Sequence, residues 1–126
     1  MTKAIFDFSG TTTVVTGGAS GIGLAISETL VRAGGDVIVS ASRNPAKTQA
    51  ALERLRAVNR SVSVQAFPCE VGSEESVLRF FADSARTARE GSPLRHVVHS
   101  AAVSPNTDFF EQTQAEWDGV QNTNLT

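Results

Sequence analysis

The sequence predicts an α/β fold: a doubly wound parallel sheet of four strands in the order 3-2-1-4, with flanking helices. Three observations point there. Short runs of β-branched residues alternate with longer amphipathic stretches, as in consecutive βαβ units. A glycine-rich turn, Gly17 to Gly23, joins the first run to the first amphipathic stretch. Crossovers of this kind are right-handed, which orders the strands once they alternate with helices. At ~100–200 residues per domain, 126 residues allow one domain, spanning 1–126. Apolar residues make up 40% and charged residues 19%, enough for a core and too apolar for disorder.

Thr11–Thr16 (TTTVVT) is β-branched throughout and reads as strand 1. Gly21–Ala33 follows as a helix whose Ile22, Ile26, Leu30 and Ala33 share one face, and Gly34-Gly35 ends it. Val37–Ala41 is strand 2. Asn44-Pro45 starts the second helix, Asn as cap and Pro at the first helical position, with Ala51, Leu55 and Val58 facing inward. Ser61–Phe67 alternates polar and apolar, a strand with one wet face at an edge of the sheet. Ser73 caps the third helix; Glu74 and Glu75 suit its first turn, and Val77, Phe81, Ala85 and Ala88 form its inner face.

Gly91 and Pro93 end that helix, and Leu94–His99 is strand 4, centred on Val97-Val98. Its outer side is an apolar open edge and an aggregation hazard. Residues 102–112 read as a polar loop in which Phe109 and Phe110, like Trp117 beyond it, are packing residues, an interface being the alternative. Thr113 and Glu116 form a capping box that opens a last helix, reaching Asn124-Leu125-Thr126.

Composition excludes several classes. The net charge is -2 with no basic run, so no nucleic-acid partner is expected. Cys69 is the single cysteine and reads as a small buried hydrophobe; two histidines beside it lack zinc-ligand spacing. No stretch reaches the ~18 apolar residues of a membrane span, and Met1–Gly10 lacks the apolar core of a signal peptide, so a cytoplasmic protein without a membrane partner is expected. There is no tyrosine, and Lys3 and Lys47 are the only lysines.

The strongest chemical signal is Thr16-Gly17-Gly18-Ala19-Ser20-Gly21-Ile22-Gly23 between a strand and a helix. Glycines there let backbone approach a diphosphate, and the helix N-terminus offers it unpaired N–H groups. A purely structural turn is the alternative reading. No Gly-Lys-Ser/Thr follows, so a mononucleotide P-loop is not expected. At the end of strand 2, where a carboxylate would bind the ribose hydroxyl of NAD, stand Ala41, Ser42 and Arg43. Arg43 and Ser42 suit a 2′-phosphate, which favours NADP (NADPH) over NAD, a solvated arginine being the alternative.

With these residues the chain resembles the short-chain dehydrogenase/reductase family from Phe6 to Thr126. Four segments carry the resemblance: the T-G-x-x-x-G-x-G turn; Cys69-Glu70-Val71 after strand 3; His99-Ser100-Ala101-Ala102 after strand 4; and Asn122-Thr123-Asn124-Leu125. The resemblance implies a Rossmann-like domain. It implies cofactor binding by Gly17, Ala19, Ser20, Gly21, Ile22, Gly23, Ser42, Arg43, Glu70, Val71, Ser100, Ala101 and Ala102, and a catalytic role for Asn124. Glu70 stands where the family has Asp near the adenine, and a solvated loop carboxylate is the alternative. His99 stands where the family has an asparagine that ties strands together; it reads as a satisfied structural histidine.

The implied reaction is hydride transfer between a nicotinamide and a small-molecule carbonyl or alcohol substrate, in a homo-oligomer. That chemistry also needs a Ser and a Tyr-x-x-x-Lys segment, which these residues do not contain. The expectation is therefore the cofactor-binding half of an oxidoreductase, truncated before its catalytic segment and inactive alone. A non-catalytic dinucleotide-binding module and an inert fragment are the alternatives.

Overall fold

The computed structural model describes residues 5–125; residues 1–4 and 126, the ends of the domain expected over 1–126, lie outside them. Four parallel strands, β1 (Thr12–Thr16), β2 (Asp36–Ala41), β3 (Val64–Pro68) and β4 (Leu94–His99), lie in the order β3-β2-β1-β4. Between them run α1 (Gly21–Arg32), α2 (Pro45–Val58) and α3 (Glu74–Thr87). After β4 come a 3-10 turn at Phe109–Glu111 and α4 (Gln114–Asn124).

Period-two alternation on the central strands builds two core layers. Val15, Val37 and Val39 meet Leu30 and Val31 of α1 and Leu55 of α2 on one face. Val14 and Ile38 meet Phe80 of α3 on the other. Burial of such side chains stabilises the fold by about 1.5–3 kcal/mol each. Helices on both faces make the sheet doubly wound, as expected.

Most boundaries stand within a residue or two of the expected ones, and several expectations need correction. Ile22 does not share the buried face of α1: it is 76% exposed, while Gly23, Ser27, Leu30 and Val31 are buried. In α3 the buried pair is Phe80 and Ser84, with Phe81 edge-on to Phe80 and Ala85 exposed. Ser84 tolerates this burial because its hydroxyl donates to Phe80 O at 2.7 Å, leaving no polar group unpaired. Phe109, Phe110 and Trp117 are not packing residues: they are 79%, 93% and 56% exposed, because no described element lies over them.

The two sheet edges differ. β3 starts at Val64, later than expected, because 59–63 form a turn in which Ser61 N–H donates to Asn59 Oδ1 and Ser63 N–H to Asp36 Oδ1. Its outer side is partly covered, since Arg56 donates to Val64 O at 2.8 Å. β4 is the open edge that was expected, with Val97 56% exposed. The capping residues stand as expected: Asn44 accepts from Ala46 and Lys47, Ser73 from Ser76, and Thr113 and Glu116 close a capping box.

Candidate dinucleotide site

The strand order reverses at β1, and a cleft of about 1300 Å³ opens beyond the C-terminal ends of the strands there. All thirteen residues expected to bind cofactor line it: Gly17, Ala19, Ser20, Gly21, Ile22, Gly23, Ser42, Arg43, Glu70, Val71, Ser100, Ala101 and Ala102. Ile22 therefore leaves the core for the cleft wall.

The floor is the turn between β1 and α1. Gly17 has φ +68°, and a Cβ there would lie 2.9 Å from the Ala101 backbone. A Cβ on Gly23 would collide with the Gly17 carbonyl. Both positions therefore require glycine for close backbone approach. Gly17 N–H donates to Ser40 Oγ at 2.8 Å, which fixes the turn against β2.

The N-terminus of α1 differs from the rest. Side chains cap α2, α3 and α4, whereas Ser20 makes no side-chain capping bond; the first turn of α1, like that of α2, holds no acid. First-turn N–H groups are thus directed at the cleft without a carboxylate in competition, the donor set a diphosphate needs. A cradle that only glycines allow, under an uncapped helix end, fits a dinucleotide.

At one end of the cleft Arg43 Nη2 and Glu70 Oε2 pair at 3.1 Å, with side chains 90% and 62% exposed. Glu70 N–H donates to Ser76 Oγ at 2.8 Å, tying its loop to α3. Cys69 is half-buried rather than fully buried. Burial and the neighbouring Glu70 charge push its thiol pKa up, away from nucleophilic character.

At the other end Thr16 Oγ1 accepts from Ser100 N–H at 3.1 Å and Ala101 N–H at 3.2 Å, and lies 2.8 Å from His99 Nδ1. His99 is thus hydrogen-bonded, as expected of a structural histidine. Asn124 stands beside the cleft: its Nδ2 donates to Val103 O and its Oδ1 accepts Val103 N–H, both at 2.9 Å. Its side chain clamps the loop after β4.

Ser40, Asn122 and Thr123 also line the cleft. Sequence reasoning passed over Ser40, and it placed Asn122 and Thr123 in the last family segment without a site role. Ser40 had a signal, a lone hydroxyl on an otherwise apolar strand. Asn122 reaches Gly72 O at 3.4 Å across a separation of 50 residues, which no local pattern announces. Among the described residues there is no group of His, Cys, Asp and Glu that could hold a metal, and no helix long and apolar enough to cross a membrane.

Known proteins share this arrangement. The chain is 32% identical over 117 residues to short-chain dehydrogenase/reductase fsr5 of Gibberella fujikuroi, covering 85% of this chain and 43% of that one. It superposes on a short-chain type dehydrogenase/reductase from Mycobacterium ulcerans with TM-score 0.82 and 28% identity, covering 95% of this chain and 43% of the other. A 3-oxoacyl (acyl-carrier-protein) reductase from Agrobacterium tumefaciens with NADP bound gives TM-score 0.78 and 26% identity, covering 96% and 44%. The chain spans less than half the length of each of these relatives. A family model described as short chain dehydrogenase matches residues 11–126, from the start of β1 through α4, and the chain belongs to that family.

Proposed function

We propose that this chain binds a nicotinamide dinucleotide, NADP in preference to NAD, as the cofactor-binding half of an oxidoreductase. The carrying observation is the uncapped α1 N-terminus over the glycine turn, at the strand-order reversal. A bound nicotinamide supplies or takes the hydride exchanged with a carbonyl or alcohol carbon. The chain's own residues bind and orient. Gly17 to Gly23 approach the diphosphate, Ala101 and Ala102 leave room at the nicotinamide end, and Asn124 contributes by holding Val103 beside that end. Proton transfer to the substrate oxygen belongs to groups that these 126 residues, without a tyrosine, do not contain.

The NADP preference rests on Arg43. β2 itself ends without a carboxylate: Ser42 and Arg43 line the cleft there, and the acid that reaches Arg43, Glu70, comes from the end of β3. A guanidinium offers a phosphate a bidentate contact that a ribose hydroxyl cannot return. The NADP bound to the Agrobacterium reductase agrees with this reading. Titration calorimetry with NADPH and NADH tests it: Arg43→Ala should weaken NADPH roughly tenfold and leave NADH nearly unchanged. Equal loss for both would remove the NADP preference, and no binding of either to the folded chain would remove the dinucleotide site.

A further inference from the structure

One hydroxyl joins the ends of β1 and β4. Thr16 is 4% exposed, and its Oγ1 meets three nitrogens: His99 Nδ1 and the backbone N–H groups of Ser100 and Ala101. A threonine hydroxyl has one proton and two lone pairs. The two backbone groups can only donate: Ala101 N–H to this oxygen, and Ser100 N–H shared between it and the Thr16 carbonyl at 3.2 Å, so both lone pairs face donors. The hydroxyl proton is left for His99, at 2.8 Å. His99 Nδ1 is then an acceptor, and the neutral ring carries its proton on Nε2. The other tautomer would set three donors on two lone pairs and leave the Thr16 proton without an acceptor.

We propose that His99 is a positioning residue for the cleft floor: its Nδ1 lone pair takes the Thr16 proton and thereby aims the Thr16 oxygen at Ser100 and Ala101. Those two N–H groups hold their segment against Gly17, where the backbones approach so closely that a Cβ would lie 2.9 Å from Ala101. Thr16 and His99 are register partners in the β1–β4 ladder, so the ring is presented to the hydroxyl by the sheet itself. The role needs only a lone pair at the δ position. Asparagine Oδ1, bonded to Cγ as Nδ1 is, supplies one there; glutamine Oε1 reaches one atom further and does not.

The full chain, labelled with nitrogen-15, tests this by NMR without a nucleotide, so its outcome is independent of the cofactor reading. The imidazole nitrogens of His99 should show a protonated Nε2 and a bare Nδ1. Ser100 N–H keeps the Thr16 carbonyl as a second acceptor and should respond less. The readout is therefore Ala101, whose amide exchange should stay near the unsubstituted rate in His99→Asn. That exchange should rise roughly tenfold in His99→Gln and His99→Leu, the loss of one hydrogen bond. Amides of Val37–Val39 in β2 should not change. An Nδ1–H tautomer overturns the proposal. So does a rise shared by Asn and Gln, or one that extends to β2.

Discussion

Glu70 and Arg43 face one another over the end of the cleft, and the pairing changes what Glu70 is expected to do. A carboxylate near the adenine would assist binding, yet here it holds the guanidinium that a 2′-phosphate would have to take. The pair is exposed, so its strength is small and screened by salt. Glu70→Gln should therefore tighten NADPH by roughly twofold to fivefold at low salt and leave NADH unchanged, read by fluorescence titration. Thr13 offers a test of another kind. Its Oγ1 is buried without a partner among the described residues. Thr13→Val removes that hydroxyl while keeping the shape, and should raise stability by about 1 kcal/mol in urea unfolding with unchanged m.

The strand and helix elements are held at the end away from the cleft by one carboxylate. Asp36, 3% exposed at the start of β2, accepts from Arg89 Nη2 at 2.6 Å and Nε at 2.9 Å, and from Ser63 N–H at 2.8 Å. Burial pushes its pKa up, but the Arg89 fork, Ser63 and Ser92 outweigh that and hold it below the usual carboxylate range. A depressed folded-state pKa adds stability that is complete above the unfolded value, about 4, and is lost as pH falls through and below it. Unfolding midpoints should therefore drop below about pH 4, and Asp36→Asn should flatten that drop. Arg89→Ala should cost about 2–3 kcal/mol at neutral pH, less than for a fully buried pair because Arg89 is half exposed.

These elements show what a sequence pattern can carry. Caps and strand alternation act over a few residues, so Asn44, Ser73, Thr113 and the four strands were legible. The inner face of α3 was not: Ser84 is buried by a hydrogen bond to Phe80, and hydrophobic periodicity does not register a satisfied hydroxyl. The glycine turn was legible because close backbone approach leaves a residue-type signature. The Arg89–Asp36 pair spans 53 residues, and the Arg43–Glu70 pair 27. Both depend on the fold already being formed.

Across the whole molecule burial is uneven. β1 and β2 are buried on both faces, whereas β4 is largely exposed and α4 buries no residue. An exposed edge strand with an apolar centre is a template for pairing with another chain. The 126-residue chain should therefore self-associate at micromolar concentration in sedimentation velocity. Val97→Lys, which places a charge on that edge, should shift it toward monomer; an unchanged distribution would assign association to another surface.

The fastening of α4 has a consequence in time rather than in energy. No side chain of α4 is fully buried, and short polar links help to hold the helix: Asn124 to Val103, Asn122 to Gly72 and Glu116 to Thr107. Links of this kind open locally far more often than the sheet unfolds. Two of them anchor segments on opposite sides of the same cleft, so each opening of α4 frees both walls together. The traffic of a ligand through the cleft would then follow the breathing of one helix, at a rate set by a few amide side chains and not by the stability of the core.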